Sequence, residues 1–159
     1  MTLESQASVV FQEEQRFRQP WLCLLLIAEA LIVGGFMVQT NPPTTLTALV
    51  IVFFISPFIL FSRLTICTEV NPGFVFIRFW PVKRTIPISA IKSAEARTYS
   101  PMGEYLGWGI KRGPGGKAYN VSGNRGVQLQ LRSGERLLIG SQKAKDLAAA
   151  IQGQMRRIS

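Results

Sequence analysis

Two long apolar runs separated by a pair of prolines limit what this chain can fold into. The first, residues 20–38, is 19 residues long and carries one charge, Glu29. As a helix it would span about 28 Å, close to the hydrocarbon thickness of a bilayer. Residues 39–45 (QTNPPTT) are polar, and the paired prolines cannot continue a helix. Residues 44–62 form a second, weaker run of 19, in which Pro57 is expected to introduce a kink. The spacing predicts a transmembrane hairpin: a segment 1–19, a helix over 20–38, a loop over 39–45 and a helix over 44–62. A re-entrant or interfacial hairpin is the alternative. A cleaved signal peptide fits poorly, because the first run exceeds the usual apolar length and no small-x-small site follows it.

Charge is distributed unevenly along the chain. The net charge is +9, and residues 64–159 alone carry 15 Lys+Arg against 5 Asp+Glu, or +10; residues 1–63 carry 3 against 4, or −1. Arg16 and Arg18 precede the first run and Arg63 follows the second, while loop 39–45 is uncharged. Positive-inside logic puts both termini and the C-terminal domain in the cytoplasm. Cys23 and Cys67 lack the repeated spacing of a disulfide framework or metal site.

From residue 64 onward the texture is β-like. Runs over 64–70, 74–80, 82–88, 91–99, 107–112, 118–121, 127–131 and 136–139 read as short strands separated by turns rich in Gly, Pro and Asn. The clearest is 127–131, where Val127, Leu129 and Leu131 alternate with polar residues. Residues 100–106, with Pro101 and Gly103, read as a loop. The chain closes with a helix capped by Ser141, whose apolar face comprises Ala144, Leu147, Ala148, Ile151 and Met155. Antiparallel strands plugged by one amphipathic helix predict a sandwich or partly open barrel.

Several segments carry a more specific likeness. Arg84-Thr85-Ile86-Pro87-Ile88-Ser89-Ala90-Ile91 is followed in order by Gly107-Trp108-Gly109-Ile110-Lys111, Ala118-Tyr119-Asn120-Val121-Ser122-Gly123, Gly126-Val127-Gln128-Leu129 and Leu138-Ile139-Gly140-Ser141. The series resembles membrane-anchored bacterial proteins with a pleckstrin-homology-like (PH-like) domain. That resemblance covers about residues 64–155 and implies a PH-like barrel with a C-terminal capping helix. It implies no particular activity. The loop joining the first two strands, Asn71-Pro72-Gly73, lacks the cations of phosphoinositide-binding PH domains, so no headgroup pocket is carried over.

The chain has no histidine, which removes the commonest general base and most zinc sites. Glu69, Glu95, Glu104, Glu135 and Asp146 are scattered, and the glycines over 107–116 match no phosphate-binding loop; they read as turns and close strand packing. The expectation is a non-catalytic scaffold module without a cofactor or a metal. Its candidate docking or lipid face comprises Lys83, Arg84, Trp108, Lys111, Arg112, Lys117, Tyr119 and Arg125, with core packing as the competing role for Trp108 and Tyr119. Glu29, beside Gly34 and Gly35, is a candidate intramembrane contact. The expected partners are membrane lipid, another membrane protein or a second copy of the chain; nucleic acid is not expected.

Overall fold

The computed structural model describes residues 9–17 and 20–158. Arg18, one of the cations used for the topology, lies outside them. The chain divides into two compact units.

One unit, Phe17–Arg63, is helical. Helix α1 (Pro20–Thr40) ends where Asn41 adopts a positive φ of 46° and its N–H returns to the Met37 carbonyl at 2.9 Å. Asparagine tolerates that left-handed geometry, and Pro42 and Pro43 then forbid helix. Helix α2 (Thr44–Arg63) starts at once, with the Thr47 N–H donating to the Pro43 carbonyl at 3.1 Å. Pro57 lies inside α2 and lacks the N–H that Phe53 would receive. The Ser56 hydroxyl donates to that Phe53 carbonyl instead, at 3.2 Å. By length and composition Cys23–Thr40 suffices to cross a membrane, whereas the apolar part of α2, Thr44–Pro57, is shorter. Large apolar side chains on both helices are exposed, among them Leu31, Ile32, Phe36, Leu49 and Phe53.

The other unit joins residues 9–16 to 64–158. It holds strands β1 (Phe11–Arg16), β2 (Thr65–Asn71), β3 (Phe74–Phe79) and β4 (Val82–Pro87), which form an antiparallel meander in that order. A 3₁₀ turn, Ile88–Ala90, leads to β5 (Ile91–Thr98), α3 (Pro101–Tyr105), β6 (Gly109–Gly113), β7 (Gly116–Asn120), β8 (Arg125–Leu131) and β9 (Arg136–Gly140). These five strands make a second sheet in the order β5-β8-β9-β7-β6. Helix α4 (Ala144–Ile158) closes the chain. Alternation aims Ile66, Val75, Ile77 and Phe79 from the first sheet, and Val127, Leu129, Leu137 and Ile139 from the second, into one core. Helix α4 adds Ala144, Leu147, Ala148 and Ile151 at helical spacing. Burying a side chain of this size contributes about 1.5–3 kcal/mol, so this shared core is the main source of stability.

Three expectations are corrected, and the mainly-β expectation holds in its coarser form. The segment ahead of the first apolar run is not merely a flank: β1 pairs along its length with β2, from Phe11↔Val70 to Arg16↔Thr65. Among the described residues the strands form two sheets, as the mainly-β reading expected, and do not close into a barrel. Pairing is not antiparallel throughout, because β7 lies parallel to β9 (Lys117↔Leu137 to Tyr119↔Ile139). Residues expected to form only a loop build α3, since Ser100 accepts from the Gly103 N–H at 3.1 Å, Pro101 suits the first turn, and Glu104 accepts from the Ser100 N–H at 2.9 Å.

Candidate functional site

The sequence set aside eight residues as one face, and the structure separates them. Arg84, Arg112 and Lys117 converge on a single carboxylate. Arg84 Nη2 donates to Glu135 Oε2 at 2.6 Å, tying β4 to the β8–β9 turn. That hydrogen bond holds the Arg84 pKa above and the Glu135 pKa below their ordinary values, with Lys117 and Arg112 adding to the Glu135 shift by their charge. Strands β6 and β7 bring the two cations together through the Arg112↔Lys117 pair. Lys111 is exposed on the same edge strand. Lys83 lies at the start of β4, opposite Arg78 on β3, and both are exposed.

Tyr119 does not belong to a docking face. It is 1% exposed and packs in the main core, with Lys117 Nζ 5.2 Å from its ring centroid. Position in the sheet decides this: β7 lies between β9 and β6, and its last three residues, Ala118, Tyr119 and Asn120, are all buried. Trp108 is half-buried, and its indole N–H reaches the Gly123 carbonyl at 3.5 Å.

Arg125 lies in a different place. It lines a groove of about 560 Å³ with Arg97, Thr98, Gln142, Lys143 and Lys145. Asp146 is the one acid on its rim. Arg97 is itself engaged: Nη2 donates to Glu104 Oε2 at 2.8 Å and to the Tyr105 hydroxyl at 3.3 Å, and Nε donates to Gln128 at 3.2 Å. Burial opposes the Arg97 charge, but Glu104 outweighs it and the pKa rises; Arg97 in turn holds Glu104 low. Gly113 and Gly115 let the β6–β7 hairpin close over this network. A Cβ at Gly113 would fall 2.1 Å from the Glu104 carbonyl, and one at Gly115 would fall 2.3 Å from the Tyr105 hydroxyl. These glycines are therefore close-packing positions, as their sequence pattern indicated.

Two polar residues escaped sequence reading altogether. Glu13 in β1 is buried; its carboxylate accepts from the Ser141 hydroxyl at 2.5 Å and from the Gln142 N–H at 2.9 Å. Gln15, also buried, donates to the Gly140 carbonyl at 2.9 Å. Ser141 meanwhile accepts from the Lys143 N–H at 3.1 Å, so it shapes the turn ahead of α4 instead of capping the helix itself. In FQEEQR, neither Glu13 nor Gln15 looks like a core position. Only their partners, about 125 residues away, make burial tolerable.

In the helical unit Glu29 is exposed, and among the described residues no hydrogen bond or ion pair reaches it. A Cβ added at Gly34 or Gly35 would meet nothing within 4 Å. Among the described residues, neither glycine is a close-packing position. Among the described residues no group of three or more His, Cys, Asp or Glu side chains could hold a metal.

The chain therefore pairs an exposed apolar helical unit with a two-sheet β unit whose polar clusters are engaged mainly in holding its own elements together. Comparison with known protein families, with curated proteins and with solved structures found no match.

Proposed function

We propose that the chain is a membrane-tethered, non-catalytic binding or scaffold module that assists assembly or regulation of a membrane protein complex. In this reading α1 and α2 form a transmembrane hairpin, the β unit is a PH-like domain on the cytoplasmic side, and loop 39–45 faces outward. One observation carries it. The apolar unit is an insertion between β1 and β2, two strands that are hydrogen-bonded neighbours. Cleavage after α1, as for a signal sequence, would strip β1 from the sheet and leave the Ser141 hydroxyl and the Gln142 N–H without their carboxylate. An insertion of this kind anchors a domain at two adjacent points, which suits a fixed adaptor. Away from a half-buried stripe on each helix, large apolar side chains such as Leu31, Ile32, Leu49 and Phe53 stay exposed, and such surfaces favour lipid as their surroundings.

The test is to purify a tagged, native-level protein in mild detergent and identify what travels with it. A chain recovered alone, in repeated preparations, would sink the scaffold reading. For topology, a cysteine at Thr44 should react with an impermeant maleimide in intact cells; protection there, with labelling on the β unit, reverses the orientation.

The alternative, recognition of anionic lipid, is favoured by one feature: the groove in which Arg125, Lys143 and Lys145 converge. Full-length protein in nanodiscs of mixed composition should then retain anionic over neutral lipid, and the triple Gln variant at those positions should not. Equal retention by the unsubstituted protein would eliminate this reading.

A further inference from the structure

The register of the first sheet collects four strand termini at one end. Arg16, the last residue of β1, pairs with Thr65, the first of β2; Ile66 pairs with Phe79 at the end of β3; and Phe79 pairs with Val82 at the start of β4. At this end the chain departs into the apolar unit and returns from it, because Phe17 and Arg63 are its bounds. The β3–β4 turn, Trp80-Pro81, lies at the same end.

That turn has the composition of a membrane-interface contact. Trp80 is 70% exposed although it is the largest apolar side chain of the sheet, and Val82 beside it is 37% exposed. An indole this exposed contributes little to packing in the fold, and tryptophan partitions to the headgroup level where an apolar body and one N–H are both accommodated. Directly behind the turn, Arg78 and Lys83 face each other across the two strands. Like charges directly opposite each other disfavour a hairpin in water. The register row through them runs Glu14, Cys67, Arg78, Lys83, so its carboxylate is on the far strand, where it already pairs with Arg16 at 3.3 Å. An anionic headgroup layer supplies the counter-charge this arrangement leaves unmet.

We infer that the Trp80-Pro81 turn is a third membrane contact: the indole enters the interfacial layer while Arg78 and Lys83 lie against anionic headgroups. The contact holds the β3–β4 turn at the interfacial layer. This rests on the reading of α1 as membrane-spanning, and the experiment separates the two.

Full-length protein is placed in nanodiscs containing anionic lipid brominated near the glycerol end of its acyl chains. Tryptophan quenching is compared for the unsubstituted protein, W80F and W21F, after matching far-UV circular dichroism shows that the variants fold. Subtraction gives the Trp80 and Trp21 components, Trp21 being at the start of α1. The expected result is loss of about half or more of the Trp80 component, with weaker quenching when the bromines lie near the methyl end. An unquenched Trp80 beside a quenched Trp21 overturns the turn contact and leaves the tether standing. If neither is quenched, both fall.

Discussion

Glu13→Ala is the most informative perturbation, because it severs the β1 segment from the turn ahead of α4 without touching the apolar core. The carboxylate accepts two hydrogen bonds, from the Ser141 hydroxyl at 2.5 Å and the Gln142 N–H at 2.9 Å. A hydrogen bond to a charged group contributes about 1.5–3 kcal/mol, and donors left buried without a partner add to the loss. Discounting for the exposed position of Gln142, about 3 kcal/mol is expected for local opening of β1 and of the turn at 141–143. Glu13→Gln keeps an acceptor for the Gln142 N–H and should lose only about 1 kcal/mol. The assay is amide hydrogen exchange on full-length protein in nanodiscs. Each 1.4 kcal/mol is tenfold, so Glu13→Ala should lower protection of residues 12–15 and 141–143 by about a hundredfold, and Glu13→Gln by about fivefold. Glu14→Ala is the control. Glu14 lies on the other face, in an exposed pair with Arg16, and should change protection by less than about fivefold. If Glu13→Ala changes protection no more than Glu14→Ala does, the buried carboxylate is not what holds β1 to the turn ahead of α4, and pairing with β2 alone keeps β1 in place.

Further outcomes follow from the site geometry. Tyr119→Ala should cost about 3–5 kcal/mol, seen as a large fall in thermal midpoint, whereas Trp108→Ala on the half-buried indole should cost clearly less; comparable losses would contradict the separation of these two aromatics. Gly113→Ala should destabilise by about 1–3 kcal/mol, because its Cβ meets the Glu104 backbone, while Gly153→Ala, with nothing within 4 Å, should be neutral or slightly stabilising by the same thermal measurement. Glu104 and Glu135 have folded-state pKa values below their ordinary 4.5, held there first by hydrogen bonds from Arg97 and Arg84. The unfolded chain therefore binds their protons more readily. Their contribution is complete above the ordinary carboxylate range and fades as pH falls through it toward the lowered values. Stability measured across that acidic window should drop less steeply in a Glu104→Gln, Glu135→Gln double variant, and an unchanged slope would show that these pairs are too well solvated to matter.

Most strands were legible because their periodicity is local. Val127-Gln128-Leu129-Gln130-Leu131 has one buried and one half-buried face, and the alternation appears in the sequence itself. The same holds for the apolar stripe of α4 and for the length of the first apolar run, which depend on residues a turn or two apart. The proline pair marked the break between α1 and α2 in the sequence, while the left-handed Asn41 that ends α1 appeared only in the structure.

What tertiary structure decided depends on residues far apart in the chain. FQEEQR looks polar because burial of Glu13 and Gln15 depends on Gly140, Ser141 and Gln142, and no local pattern encodes partners at that distance. The parallel pairing of β7 with β9 follows from which strands are neighbours in the sheet, a choice made by the whole core. The basic residues told the same story: their number set the charge of the β unit, but only folding put Arg84, Arg112 and Lys117 around Glu135 and left Lys83 with Arg78 beside an exposed Trp80. Sequence determines what can be read at short range, hydropathy and period. Pairing of charges and of strand edges is a long-range property, because each partner stabilises the other only once the core has brought them within a few ångströms.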